Sequence, residues 1–190
     1  MAITRLVGAN AITGTLPAAN INDTSIGNIT ALPAGVGGKV LQVVTSENSY
    51  QESTASTSLS DIKSASSTTW ETSITPSSTS SKILAHANIS WYIEMSGTAQ
   101  DARCFLRMHQ KIGSGSYSGL INNPYTGVFF YSAQRFDLSN WQQIFTNLSS
   151  PNTTSAVTYK FDKKSLSSSG YDLVINYGST STITLMEVAG

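Results

Sequence analysis

The sequence predicts an all-β protein, with an extended N-terminal arm followed by a jelly-roll-like antiparallel β-sandwich. Three observations lead there. From Lys82 to Met95, the residues Ile83, Ala85, Ala87, Ile89, Trp91, Ile93 and Met95 alternate with His86, Asn88, Ser90, Tyr92 and Glu94. A period of two held that long marks a strand with one buried and one wet face. Most of the chain after residue 39 repeats this pattern, and its gaps are short and carry Gly, Pro, Asn or Ser, as in G-S-G-S-Y-S-G at 113–119 and N-N-P-Y-T-G at 122–127. That is the grammar of antiparallel sheets. Finally, 31 Ser and 22 Thr in 190 residues, with only 12% charged residues, would suit a disordered chain. Eight Tyr, six Phe and three Trp, most of them set among β-branched residues at strand spacing after residue 39, argue against disorder there.

Residues 1–38 have a different grammar. Ile12, Leu16, Ile21, Ile26, Ile29 and Leu32 recur every three to five residues among Gly14, Pro17, Asn20, Asn22, Asp23, Gly27, Asn28 and Pro33. The spacing is neither helical nor that of a long strand, and the intervening residues are turn formers. One copy has no second layer on which to bury its aliphatics. Either three copies wind around a common axis, or the arm orders on a partner; both make it an attachment element. Gly35, Gly37 and Gly38 form the joint to a second region, 39–190.

The strands expected in that region are 39–46, 68–75, 82–95, 101–112, 116–122, 126–132, 135–148, 156–162, 171–177 and 180–188. Pro76 and the Ser/Thr run behind it turn the chain between the second and third. Residues 47–67 read as a polar loop that crosses between sheets or covers an edge, with one helical turn possible at 58–65. Eight to ten strands at this spacing suggest a two-sheet sandwich, commonly a jelly roll. In the last strand Ile183 and Leu185 lie on one face, Met186 and Val188 on the other. A strand apolar on both sides is central to a sheet or pressed against a neighbouring subunit. By analogy with trimeric C1q- and TNF-like jelly rolls, these four residues are placed near the axis of a homotrimer, which would also cover sheet edges.

The formal net charge of zero lacks the footprint of a nucleic-acid binder. Nothing approaches the about 20 apolar residues of a membrane helix. The opening M-A-I-T-R-L-V-G-A-N has no ~7–15-residue apolar signal core, so the expectation is synthesis in a cytoplasm without standard secretion. The single cysteine, Cys104, makes no internal disulfide and reads as a small buried hydrophobe. His86 and His109 show no metal-ligand spacing. G-S-G-S-Y at 113–117 fails as a nucleophile elbow, since a Tyr and another strand follow where Gly and a helix are needed. Glu47, Glu52, Glu94 and Asp101 are spaced as loop and strand-end charges rather than as an acidic pair. No enzyme, cofactor or metal site is expected.

Three segments carry a family likeness: G-K-V-L-Q-V-V (38–44), W-E-T-S-I-T-P-S-S-T-S-S-K-I-L (70–84) and I-T-L-M-E-V-A-G (183–190). Together they resemble small structural proteins of tailed bacteriophages, notably marine and cyanobacterial ones. A-N-A-I-T-G-T-L-P-A-A-N-I (9–21) is similar to segments that precede the outer domain of phage tail fibres. The resemblance covers somewhat under a quarter of the chain and implies a virion location, a homotrimer, and docking on other virion proteins through the arm. It implies either host adsorption as a tail fibre or a purely structural role as capsid decoration, head fibre or tail adaptor. For adsorption, aromatic rings with nearby amides suit a host-surface glycan. The residues with that make-up are Tyr117, Asn122, Asn123, Tyr125 and Trp141, the last beside Gln142; a protein receptor is the alternative.

Overall fold

The computed structural model describes residues 39–65, 68–95, 104–120, 141–165 and 171–190. The chain divides between Gly38 and Lys39, and every described residue belongs to the second unit. The arm residues Ile12, Leu16, Ile21, Ile26, Ile29 and Leu32 therefore lie outside the described residues. So do Asn122, Asn123, Tyr125 and the strand expected at 126–132.

The described strands are β1 (Val40–Asn48), β2 (Glu52–Thr54), β3 (Ser60–Asp61), β4 (Glu71–Ile74), β5 (Lys82–Met95) and β6 (Cys104–Ile112). They continue with β7 (Ser118–Gly119), β8 (Trp141–Ser149), β9 (Val157–Ser165), β10 (Tyr171–Ile175) and β11 (Ser181–Val188). Four antiparallel pairings nest inside one another: β6 with β7, β5 with β8, β4 with β9, and β1 with β11. The nested ribbon is wrapped, so that β11 also pairs β5 and β9 also pairs β6. Two sheets result, β1-β11-β5-β8 and β4-β9-β6-β7. This is the strand order of a jelly roll, and the predicted sandwich is the observed fold.

The long Ser/Thr segment crosses between the sheets and leaves a short strand in each. β2 pairs β10 in the first sheet, and β3 pairs β9 in the second. The helical turn considered at 58–65 does not form. Tertiary pairing overrides it: Ile62 is fully buried, its N–H donates to Phe161 O at 2.9 Å, and its carbonyl accepts from Trp70 N–H at 2.9 Å.

Alternation supplies the core. Ile83, Ala85, Ala87, Ile89 and Trp91 of β5, with Ile183 and Leu185 of β11, face Cys104, Leu106 and Met108 of β6 and Val157, Tyr159 and Phe161 of β9. Cys104 is fully buried, and burial pushes its thiol well above its ordinary range, so it packs rather than reacts. Polar ties also cross the core. Tyr159 Oη lies 3.1 Å from Ser149 Oγ, and Trp70 Nε1 donates to Ser46 Oγ at 3.2 Å. Lys163 is only 2% exposed. Its ammonium meets Glu52 Oε2 at 2.8 Å and Asp61 O at 3.1 Å, while Glu52 Oε1 accepts the Lys63 N–H at 2.7 Å. Glu52 is thus half of a buried ion pair between sheets, not the loop charge its sequence position suggests.

One face departs from the expected pattern. Ser90 and Tyr92 fall on the polar side of β5, yet both are buried. The turn at 176–180 covers them: Ser90 Oγ bonds Ser179 Oγ, and the Tyr92 ring packs on Tyr177 with centroids 4.7 Å apart.

Candidate functional site

The segment that buries Ser90 and Tyr92 also builds the most distinctive surface feature of the first sheet. β10 and β11 lie along the same side of β5, opposite β8. Ile175 faces Trp91 and Thr182 faces Asn88, so residues 176–181 stand against only Ile89 and Ser90. The neighbouring strand breaks at the same level, because Asn48 faces Ser181 while Glu52 faces Ile175. Residues 49–51 therefore loop out beside 176–180. The two excursions border an open, shallow notch of about 380 Å³ lined by Ser49, Gln51, Asn176, Gly178, Ser179 and Thr180.

The turn adopts its shape because Asn176 (φ 60°) and Gly178 (φ 58°) take left-handed backbone conformations, which Asn tolerates and Gly adopts freely. A buried network then fixes Asn176. Its N–H donates to Ser90 O at 3.0 Å, its Nδ2 donates to Tyr50 O at 3.1 Å, and its Oδ1 accepts from Ser181 Oγ at 2.6 Å. Ser181 Oγ in turn accepts the Ser90 N–H at 2.9 Å. Beside this rigid floor, Tyr177 sits between two lining residues and is 39% exposed. Sequence reasoning places a break between strands at 178–179. It does not distinguish a turn between paired strands from an excursion within one edge, because both are written with Asn, Gly, Ser and Thr.

The residues singled out from sequence are dispersed. Tyr117 follows β6 on the outer face of the second sheet, half-buried, with Lys160 Nζ 4.3 Å and Lys111 Nζ 4.5 Å from its ring centre. Trp141 opens β8 in the other sheet, 48% exposed and stacked on Trp91 at 6.1 Å. Of the four residues assigned to a trimer axis, Ile183 and Leu185 are buried in the sandwich core, whereas Met186 and Val188 alternate to the outside. β11 is central in the first sheet, between β1 and β5, and turns Met186 and Val188 to that sheet's outer face.

Two further polar clusters have a holding role. On the second sheet, Asp162 accepts Arg107 Nη2 at 2.7 Å and stands 2.6 Å from His109 Nε2. Burial would raise the Asp162 carboxyl; hydrogen bonds from His109 and Arg107 outweigh it and hold it below its ordinary range. At the margin of the first sheet, Glu187 Oε1 accepts both the N–H and Oγ of Ser77, at 2.7 and 2.6 Å. Gln42 Nε2 donates to Glu187 Oε2 at 2.7 Å and to Thr75 O at 2.6 Å. Burial again acts upward, but these donors, led by Ser77, bring Glu187 down to about 2. Among the described residues, no three His, Cys, Asp or Glu side chains gather as a metal site would require.

No protein-family model and no curated protein matches the chain. Among solved structures, it is similar to a chain of the T13 IBDV viral particle, with a TM-score of 0.42 and 10% identity, over 78% of this chain and 36% of that one. It is also similar to infectious bursal disease virus Gx strain, with a TM-score of 0.37 and 10% identity, over 78% of this chain and 37% of that one. A third is the VP2 subviral particle of the same virus, with a TM-score of 0.35 and 10% identity, over 78% of this chain and 38% of that one. This chain spans little more than a third of each of those chains.

Proposed function

We propose that the chain is a non-enzymatic virion structural protein: a homotrimeric tail fibre of a tailed bacteriophage that adsorbs to a host-surface glycan. Residues 1–38 dock on other virion proteins and the jelly roll forms the outward head. The observation that carries this reading is where the resemblance-bearing segments meet. Gln42, the stretch from Thr75 to Ser77, and Glu187 come from 38–44, 70–84 and 183–190, and they close one hydrogen-bonded clamp. The phage-like residues therefore act as one structural unit of this fold rather than as three unrelated matches. Individually weak receptor contacts become useful through three heads per fibre and several fibres per particle.

Native mass and adsorption test it together. A closed homotrimer has a mass of about 60 kDa, three times the 20.2 kDa chain. Purified trimer is expected to bind host cells and to compete with infection. A 20.2 kDa monomer that neither binds nor competes would overturn the proposal. The clamp and the Lys163–Glu52 pair hold the fold together and touch no ligand, which suits a second reading, a capsid decoration, head fibre or tail adaptor without a receptor. Antibody labelling of particles separates the two, since label on capsid faces rather than on the tail favours the structural role.

A further inference from the structure

We infer that the notch between residues 49–51 and 176–180 is a seat for a neutral sugar, a reading that rests on the proposed adsorption role and gives it a location. Its lining offers the exposed hydroxyls of Ser49 and Thr180 and the amide of Gln51, with no charged side chain, while Asn176 and Ser179 are bonded into the wall behind them. Such donors and acceptors match the alternating hydroxyls of a pyranose, and no cation stands among them to pair the charge of a phosphate or a sulfate. The nearest acid in sequence, Glu52, is committed to Lys163 and the Lys63 amide. At about 380 Å³, the notch lies at the small end of the ~300–1,000 Å³ range of ligand sites, which limits the occupant to one or two sugar units.

Rigidity strengthens the inference. Two adjacent strands leave their ladders at one level, and both Asn176 and Gly178 hold left-handed conformations there. Asn176 is 1% exposed and bonded through its backbone and through both side-chain heavy atoms, so the wall stands formed before any ligand arrives.

The test is saturation-transfer NMR on the full-length protein with glucose, galactose, mannose and N-acetylglucosamine as probes. At least one is expected to receive saturation, with affinity falling about tenfold in Gln51→Ala and unchanged in Tyr117→Ala. Thr180→Val serves beside it, because it keeps the side-chain shape and removes one hydroxyl, should Gln51→Ala fail to fold. No transfer to any of the four sugars overturns the seat, as does transfer unaltered in both folded notch variants. A host-cell binding assay separates the two proposals. Cell binding that survives the notch variants sinks the seat and leaves adsorption standing. Sugar binding at the notch without cell binding does the reverse.

Discussion

The two sheets of this sandwich share a core but present opposite outer faces. On the second sheet, Arg107, Lys111, Lys160 and Asp162 stand among Asp61, Glu71, His109 and Tyr117, with Arg107 paired to Asp162, Lys111 to Glu71 and Lys160 to Asp61, while Lys164 lies over the Phe105 ring. On the first sheet, register aligns Val43, Met186, Leu84 and Leu148 in one apolar rung, with Val43 54% and Leu148 58% exposed. The next rung is Thr45, Thr184, His86 and Thr146. The charges on the first sheet's outer face, Glu47, Lys82, Glu94 and Asp172, stand around these rungs and leave the rungs themselves without a charge. Most charges of the second face are paired with one another, so the uncharged rungs of the first sheet are the more available for recognition.

What joins the faces is the strongest lever on the fold. Lys163→Ala is expected to cost about 3 kcal/mol, because it removes a fully buried side chain and leaves Glu52, 13% exposed, without its counter-charge. Urea unfolding measures it. Replacing both partners, with Lys163→Met and Glu52→Gln, should recover much of the loss. If the single variant costs no more than the double one, the pair does not join the sheets as described.

A smaller effect is expected at the margin of the first sheet, and it carries a pH signature. Glu187 titrates at about 2 in the folded chain against an ordinary 4.5. Its contribution is therefore complete above pH 4.5 and is lost as pH falls toward 2, to the extent of about 3 kcal/mol. Glu187→Gln should flatten the stability profile across that window while leaving the slope contributed by Asp162 and Asp61, whose carboxyls are also held low. An unchanged slope in the variant would show that the Ser77 and Gln42 hydrogen bonds do not hold the charge.

These two sites mark what could be read from sequence. β5 is legible to its ends, Lys82–Met95, because an uninterrupted period of two needs no knowledge of neighbours. β9 is expected at 156–162 and runs to Ser165 instead. Lys163 looks like a surface residue until Glu52, more than a hundred positions earlier, is found beside it. The clamp is similar: Gln42, Ser77 and Glu187 stand out as parts of three family-like segments, but nothing local says that they touch. The notch is harder still. Ser90 and Tyr92 read as wet because alternation reports only which side of a strand a residue takes, not what later folds over that side.

On the charged face, Asp162→Asn should cost only about 1–2 kcal/mol, since Arg107 is partly exposed and water replaces part of what is lost. The smallest effect on stability belongs to the apolar rung of the first sheet, where it is also the most diagnostic. Val43 is 54% exposed and touches the sandwich only from outside, so Val43→Glu should change unfolding free energy by no more than about 0.5 kcal/mol. In the proposed homotrimer, Met186 and Val188 approach the axis on this same face, and Val43 is the direct cross-strand neighbour of Met186. Three carboxylates brought together there would repel one another and lose water. The native mass should then fall from about 60 kDa to the 20.2 kDa of one folded chain. A variant that stays trimeric would move the contacts away from β11. A variant that unfolds would mean that Val43 belongs to the fold more deeply than its exposure implies.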